Sequence, residues 1–363
     1  MNGFHEFLNH PLVTHWGAVL LHFIWQGAAI ALLACVVLAF CQRQSAQLRY
    51  LLATGCLFLM LLCPVITWFY LGEHIQISTS AAVTQSTAND APVAHDPEVG
   101  TTLPDRLLQG AESAAASRVA NATDAKPFPQ TESGLFRISV LENTLPWLVA
   151  AWVCGVVILS IRLLGGWLIV RNHVRNGKHL RDTWTARVNQ LADQVHLARP
   201  IRWIESTQVR VPQALGWLKP VILLPGSLFT ALTPAEIECL FLHELIHLRR
   251  HDFLINLMQC LVETLFFYHP GVCWLSRRIR LERELACDAA VVTLTADRFT
   301  FSRALLSLAE QTQLPSPVLA ATGGDLTIRI HALLGMKRTG SGSGILIWIC
   351  LAACMLAIWL VSQ

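Results

Sequence analysis

The stretch Phe241-Leu242-His243-Glu244-Leu245-Ile246-His247-Leu248-Arg249-Arg250 decides how the rest of the sequence is interpreted. On an α-helix, side chains four positions apart lie on the same face, so the imidazoles of His243 and His247 can reach one cation. Glu244 follows the first histidine and lies beside that cation, where it can take a proton from a water molecule. The apolar neighbours predict a buried helix that holds these side chains rigidly.

The pattern His-Glu-x-x-His is typical of zinc peptidases. A catalytic zinc ion has three protein ligands and a water molecule, so the two histidines leave one ligand to be found. The helical stretch 280–288 offers it, because Glu284 and Asp288 lie four apart on one face. We predict that Glu284 binds one catalytic Zn²⁺. We also predict that Asp288 accepts a hydrogen bond from a ligand histidine and so fixes its tautomer.

The acidic residues of this second helix have a simpler interpretation. Glu284 would then lie on an exposed helix with surface salt bridges, which would be the preferred interpretation if the histidine motif were missing. With the motif present, the ligand role is favoured. Glu282 points away from Glu284, and we expect it to pair with Arg278 or Arg283 at the surface.

The composition indicates a membrane protein. Of the 363 residues, 53% are hydrophobic and 14% are charged, and the mean hydropathy is +0.47. A soluble domain has about 25% charged residues. The net charge of +3 gives no reason to expect direct nucleic-acid binding. The eleven cysteines include no Cys-x-x-Cys pair, so no disulfide framework or thiolate zinc cluster is expected. Residues 1–14 lack Lys and Arg, so we expect no cleaved signal peptide.

Four apolar runs are long enough to cross a bilayer; they cover residues 16–40, 51–70, 145–170 and 345–361. Basic residues favour the cytoplasmic side, and they follow the first and the third run. The N-terminus is therefore expected outside, with residues 73–142 as a flexible, acidic extracytoplasmic loop. Residues 171–310 are predicted to form a cytoplasmic zinc peptidase domain, and 311–344 a cytoplasmic linker.

The segment Asp252 to Trp274 is apolar enough for a fifth span. A single crossing there would place Glu284 on the opposite side of the membrane from the two histidines. We therefore predict a helix that is buried in the domain, lies against the membrane or forms a hairpin.

The cytoplasmic domain is predicted to be α+β with few strands. Residues 181–195 have helical periodicity, and 201–204 and 220–224 are typical of short strands. Thr233, followed by Pro234 and by Glu236 three residues on, predicts the start of the motif helix. An extended substrate is expected to pair with a strand edge formed by 221–224.

Together these pieces resemble the membrane receptor metallopeptidases of the BlaR/MecR type, over nearly the whole chain. The resemblance rests on the four spans and, in order, on Pro212, Gly216, Pro220 and Pro225, the run His243 to Asp252, His269-Pro270 and the run Glu282 to Asp288. It implies that His243, His247 and Glu284 bind zinc, that Glu244 is the general base and that Asp288 supports a ligand histidine. It also implies that the protein lies in the bacterial inner membrane and that its peptidase domain is gluzincin-like and faces the cytoplasm.

The resemblance also implies a role in signalling. Such proteins cut a cytoplasmic repressor or themselves, in antibiotic or cell-envelope responses, and their best-known members carry a penicillin-binding domain after the last span. This chain ends at Gln363 without a Ser-x-x-Lys motif, so a signal is expected through the loop 73–142 or a separate sensor protein. The other expected partners are a protein substrate, the lipid bilayer and a second copy of the chain.

A peptidase also needs a donor for the oxyanion of its transition state. The candidates are His251, Tyr268, His269 and Arg283. His251 has the simpler interpretation of a polar residue near a helix end, and His269 that of a helix cap.

Two other functions fit the same residues. One is a housekeeping membrane protease that acts on prenylated proteins or in quality control. The other is a non-proteolytic membrane scaffold that keeps a zinc site for folding. The intact Glu244 argues against the scaffold, because a structural zinc site does not need a base.

Overall fold

The computed structural model describes residues 10–89, 132–197, 199–312 and 316–336. The predicted fourth span, 345–361, and the middle of the predicted loop lie outside the described residues. Three described helices, Leu12–Arg43, Ala46–Gly72 and Thr144–Asn176, are long and apolar enough to cross a membrane. They agree with the first three predicted spans.

The helices follow one another as α1 (Pro11–Phe40), α2 (Ala46–Asn89), α3 (Glu132–Asn176), α4 (Asp182–Gln194), α5 (Leu228–Ala231), α6 (Pro234–Arg249), α7 (Asp252–Leu265), α8 (Pro270–Thr295), α9 (Arg298–Thr312) and α10 (Ser316–Leu333). The strands are β1 (Lys178–His179), β2 (Arg202–Ser206), β3 (Gln213–Leu215) and β4 (Val221–Pro225). Helical structure therefore extends into both ends of the predicted loop 73–142.

The chain divides into two compact units. One contains residues 1–18 and 67–150. In it, Nε2 of His15 lies 3.1 Å from the backbone oxygen of Trp68, and the rings of Trp16 and Trp68 are 4.5 Å apart between centroids. The other unit contains residues 19–66 and 151–363, and it includes every predicted site residue.

Helices α7 and α8 form the hairpin that was one of the three arrangements predicted for Asp252 to Trp274. Gln259 in α7 donates to the backbone oxygen of Ser276 in α8 at 3.0 Å, and the turn between the helices packs among the apolar helices. There His269 Nε2 lies 3.0 Å from the backbone oxygen of Ile24. On another side, the indole of Trp152 donates to the backbone oxygen of Leu265 at 2.7 Å.

The sheet has the order β1-β2-β4-β3, with β2 and β4 parallel and the other pairs antiparallel. The two predicted strands are present, while β1 and β3 are too short for their sequence to indicate them. β4 is buried at every position and has neighbours on both sides. The predicted substrate edge at 221–224 is therefore wrong, because β3 forms that edge of the sheet.

Helix α6 is the centre of the domain, and it begins as its sequence predicts. The hydroxyl of Thr233 accepts from the backbone N–H of Glu236, whose carboxylate accepts from the backbone N–H of Thr233 at 2.8 Å. Apolar side chains then cover most of the helix surface, so it is buried between α4, α8 and α9. The motif therefore lies on a rigid, enclosed element.

Helix α10 lies within the segment that was predicted to be a linker, 311–344. Leu333 is buried, and Leu326 packs against the same core. Gly335 ends the helix with a positive φ of 74°, a conformation that glycine adopts without strain. At least this part of the predicted linker packs onto the domain.

Candidate metal centre

The structure brings the three predicted ligands together. Nε2 of His243 and Nε2 of His247 lie 3.1 Å apart. Oε2 of Glu284, from α8, lies 3.3 Å from the first and 3.8 Å from the second. All three side chains can therefore direct one atom to a common point between α6 and α8.

These separations fit one metal ion. Nitrogen and oxygen ligands about 2.0–2.2 Å from a tetrahedral zinc ion lie roughly 3.3–3.6 Å from one another. The histidine ligand atoms are slightly closer than this, and one glutamate contact is slightly longer. A shift of a few tenths of an ångström in side-chain position satisfies both, so the donor set of two imidazoles and a carboxylate fits a bound metal.

Asp252 orients His247. Its Oδ2 lies 2.8 Å from Nδ1 of His247, which leaves Nε2 for the metal. The carboxylate reaches back because His251 adopts the left-handed conformation, with φ 58°, and turns the chain between α6 and α7. His251 itself is exposed, so its described role is in this turn.

The first histidine has a different partner. Nδ1 of His243 lies 3.3 Å from Oδ1 of Asp288, although the contact does not have hydrogen-bond geometry. Asp288 is instead held by Arg329 of α10, with bonds of 2.8 and 2.7 Å to its two oxygens. Arg329 also lies 3.4 Å from Oε2 of Glu284. Asp288 thus faces the first candidate ligand histidine without the predicted hydrogen bond, and a guanidinium balances its charge.

The prediction for Glu282 is wrong in part. It pairs with Arg278 at 2.6 Å, as expected, but it is completely buried instead of lying at the surface. Its second partner is Arg49 at the start of α2, at 2.9 Å. The sequence does not indicate this contact, because the two residues are 233 positions apart.

Contacts between the histidines and the carboxylates of the site stabilise the charged forms of both. Burial disfavours ionised Glu284, but hydrogen bonds from His243 and His247 outweigh it, and the pKa of Glu284 lies well below its ordinary value. Burial likewise opposes a charged His247. Hydrogen bonds with Asp252, Cys287 and Glu284 nevertheless raise the pKa of that imidazole well above its ordinary value. Two imidazoles and a carboxylate are nevertheless a donor set suited to a metal ion, whose binding would displace the protons of the histidines.

A cavity of about 500 Å³ opens onto the three ligands. Glu244 is buried in its wall, beside His243. Among the four predicted oxyanion donors, Arg283 lines the cavity, with Nε 3.4 Å from Glu284. Residues 213–215 of the edge strand β3 border the same space.

The other predicted donors lie elsewhere. His251 is in the exposed turn already described. His269 caps α8, where its Nδ1 accepts from the backbone N–H groups of Gly271 and Val272. The hydroxyl of Tyr268 lies 3.4 Å from the backbone oxygen of Leu20, in the packing between the hairpin and α1. The cap interpretation of His269 is therefore correct.

Two residues of the site were missed in the sequence. Asp252 stands in the run quoted for the resemblance, but nothing local shows that it folds back onto His247. Arg329 lies in the segment 311–344, which was predicted to be a linker. The helical spacing of Leu326, Ile330 and Leu333 before Gly335 is a signal for α10, although it does not reveal the role of its arginine.

The fold and the site together define the class of protein. Helices able to cross a membrane, combined with a partly buried His-His-Glu group that fits a metal ion, are features of membrane metallopeptidases. The profile of the family described as BlaR1 peptidase M56 matches residues 19–333. The chain belongs to this family.

Individual relatives are similar over parts of the chain. The "Regulatory protein BlaR1" of Bacillus licheniformis is 29% identical over 183 residues, which cover 48% of this chain and 29% of that protein. The "Methicillin resistance mecR1 protein" of Staphylococcus aureus (strain Mu50 / ATCC 700699) is 27% identical over 89 residues, 24% of this chain and 15% of that protein. The "Regulatory protein BlaR1" of Staphylococcus aureus is 21% identical over 141 residues, covering 39% and 24%. The matched segments thus span less than a third of each relative.

Proposed function

We propose that this protein is a zinc-dependent membrane endopeptidase. The observation that carries the proposal is the convergence of His243, His247 and Glu284 on one point at the wall of a cavity. Glu244 lies in that wall, and a purely structural metal site has no need of such a carboxylate. The family membership supports the same conclusion.

The chemistry follows from the residues around the cavity. His243, His247 and Glu284 would hold a zinc ion, which would supply a Lewis acid for the scissile carbonyl and for a water molecule. Glu244 takes the proton of the attacking water and passes it to the leaving amine. Asp252 keeps the imidazole of His247 in orientation. Asp288 faces His243, and Arg329 balances the charge of Asp288. Arg283 is the candidate donor for the oxyanion.

A substrate peptide would bind in extended form along β3. Residues 213–215 pair with β4 on one side and border the cavity on the other. An exposed strand edge offers backbone donors and acceptors to any extended peptide. The site is thus suited to endopeptidase cleavage, with selectivity supplied by side-chain pockets rather than by the backbone pairing.

We further propose that the substrate is a cytoplasmic regulator or the chain itself, and that cleavage transmits a signal across the membrane. The support is the family and the names of the relatives, which include regulatory and methicillin-resistance proteins. The proposed topology places the peptidase domain in the bacterial cytoplasm and the N-terminus outside. The proposed fourth span, the proposed loop 73–142 and a linker shortened to the residues after α10 complete it.

Glu244→Ala and His247→Ala test this function in membranes of the native host. Wild type, the two variants and the exposed-site control Asp193→Ala are compared by profiling the N-termini of cytoplasmic proteins and of the chain. We expect both site variants to lose the same cleavage products. Glu244→Ala should retain one zinc ion per purified chain, and His247→Ala should not.

Unchanged cleavage in Glu244→Ala would contradict the catalytic role. Cleavage restricted to unfolded membrane proteins would favour the housekeeping protease. Bound zinc without any product that depends on Glu244 would favour the scaffold. A reporter fused after Asp288 tests the topology separately, and it should behave as cytoplasmic.

A further inference from the structure

Two neighbouring residues at the start of α2 contact side chains next to the candidate metal ligands, one on α7 and one on α8. The hydroxyl of Tyr50 donates to Oδ1 of Asp252 at 3.0 Å, and the other oxygen of that carboxylate holds His247. Arg49 donates to Glu282 at 2.9 Å, two residues before Glu284. Both Arg49 and Tyr50 are buried, with exposed fractions of 6% and 4%.

The contact with Tyr50 determines where the Asp252 carboxylate can point. One oxygen accepts from the phenol and the other faces the imidazole, so rotation of the carboxylate would break both contacts. The phenol ring is itself fixed, because the guanidinium of Arg250 lies 4.8 Å above its centre. Nε of Arg250 is also 3.6 Å from Oδ1 of Asp252. Without the hydroxyl, this oxygen would lose its hydrogen-bond donor at 3.0 Å.

The contact with Glu282 fixes α2 against the other ligand helix. Residues two apart on a helix do not face each other, so Glu282 faces α2 while Glu284 faces the metal site. Glu282 has no exposed surface, and Arg49 and Arg278 balance its charge. Separating Arg49 from it would leave a buried carboxylate short of a partner, which is costly. The start of α2 is therefore held at a fixed distance from the metal ligands.

We propose that Tyr50 is a positioning residue of the metal centre, acting on His247 through Asp252. This inference rests on the proposed metallopeptidase function and adds a regulatory element to it. A movement of the second span at Arg49 and Tyr50 would release the Asp252 carboxylate and change the direction of the His247 imidazole. The apolar helix is thereby connected to the metal site by three side chains.

Tyr50→Phe in the purified full-length protein tests the inference, because it removes the hydroxyl and keeps the ring in its packing. The matched control is Tyr268→Phe, which removes a hydroxyl from the same group of packed helices but not from the site. Zinc affinity is measured by competition with a chelator. We expect Tyr50→Phe to bind zinc about 3–10-fold more weakly, just below the range for direct partners of ligand histidines. The control should match the wild type.

A second readout separates positioning from general stability. Co²⁺ in place of zinc has a visible spectrum that reports ligand geometry, and we expect this spectrum to change in Tyr50→Phe alone. In an Asp252→Ala background, Tyr50→Phe should have no further effect on zinc affinity, since the route to His247 is already lost.

Two results would overturn the inference while leaving the metal site intact. One is a wild-type zinc affinity and Co²⁺ spectrum in Tyr50→Phe. The other is an undiminished effect of Tyr50→Phe in the Asp252→Ala background. A wild-type protein that binds neither ion would instead overturn the proposed function, and the inference with it.

Discussion

Nδ1 of His247 and Oδ2 of Asp252 lie 2.8 Å apart, and this contact sets the direction of the second ligand imidazole. Removing the carboxylate with Asp252→Ala should weaken zinc binding about 10–100-fold, as is typical when the partner of a ligand histidine is lost. Chelator competition on the purified protein measures it. Asp193→Ala, at an exposed position of α4, is the control, and equal affinities in the two variants would contradict the role of Asp252.

Zinc affinity should depend on pH more strongly than it would if the two candidate ligand histidines had ordinary pKa values. Although burial opposes it, contacts with Asp252, Asp288 and Glu284 raise the pKa of both His243 and His247 in the metal-free protein. A protonated imidazole cannot bind a metal, so zinc affinity should rise with pH until both of these raised pKa values are passed. Titrations at pH about 6, 7 and 8 check this, and a constant affinity over that range would refute it.

The raised pKa of His247 also affects the stability of the protein without metal, and this effect decreases as the pH rises, whereas zinc affinity increases. The charged form of His247 is stabilised in the fold, so its contribution is fully present below the pKa of the unfolded chain. It is lost as the pH rises through the raised pKa of the folded state. Without metal, the contribution of His247 to the thermal midpoint should therefore decrease as the pH increases. Bound zinc should abolish this decrease.

Arg329→Met should destabilise the domain. The guanidinium makes two bonds to Asp288, and the two side chains have exposed fractions of 15% and 2%. Breaking a buried ion pair from one side typically costs about 3–5 kcal/mol, because the other charge stays buried. The free energy of unfolding in denaturant measures the loss.

A surface ion pair provides the control for Arg329. Arg187→Met removes the partner of Glu238, where the side chains are 41% and 27% exposed, and should cost only about 0–1 kcal/mol. Similar losses in the two variants would show that Arg329 does not form a buried pair.

Close packing of the hairpin against α1 should make Gly27 sensitive to any side chain. A Cβ atom at Gly27 would lie 2.8 Å from Nε2 of His269, whose ring is buried and caps α8. Gly27→Ala should therefore lower stability by about 1–3 kcal/mol. Gly55→Ala in α2, where a Cβ meets nothing within 4 Å, should be neutral or slightly stabilising. The difference in thermal midpoint in detergent distinguishes them, and no difference would argue against this packing.

Substrate pairing along β3 predicts a dependence on the peptide backbone. Once a cleaved sequence is known, N-methylation of single amides flanking the scissile bond should raise KM about 2–10-fold where the amide would pair with 213–215, since each lost hydrogen bond costs about 0.5–1.5 kcal/mol. N-methylation further along the peptide serves as the control. Equal KM values throughout would exclude strand pairing as the mode of binding.

The spacing of neighbouring residues in the sequence was sufficient to predict several features of the structure. Residues four apart on a helix share a face in any fold, so His243 and His247 had to point the same way. The start of α6 at Thr233 and the first three apolar helices likewise depend on neighbouring residues alone. Glu284 required one further step, the recognition that a second helix carries acidic residues at the same spacing.

Contacts between distant segments were decided by the tertiary structure. Asp252 came to support His247 because a left-handed turn at His251 directs its carboxylate backwards. Glu282 became buried because α2 supplies Arg49, and β4 lost its predicted edge because the short strand β3 pairs with it. Sequence periodicity determines which face of an element a residue occupies, but the packing of whole helices and strands determines what that face meets.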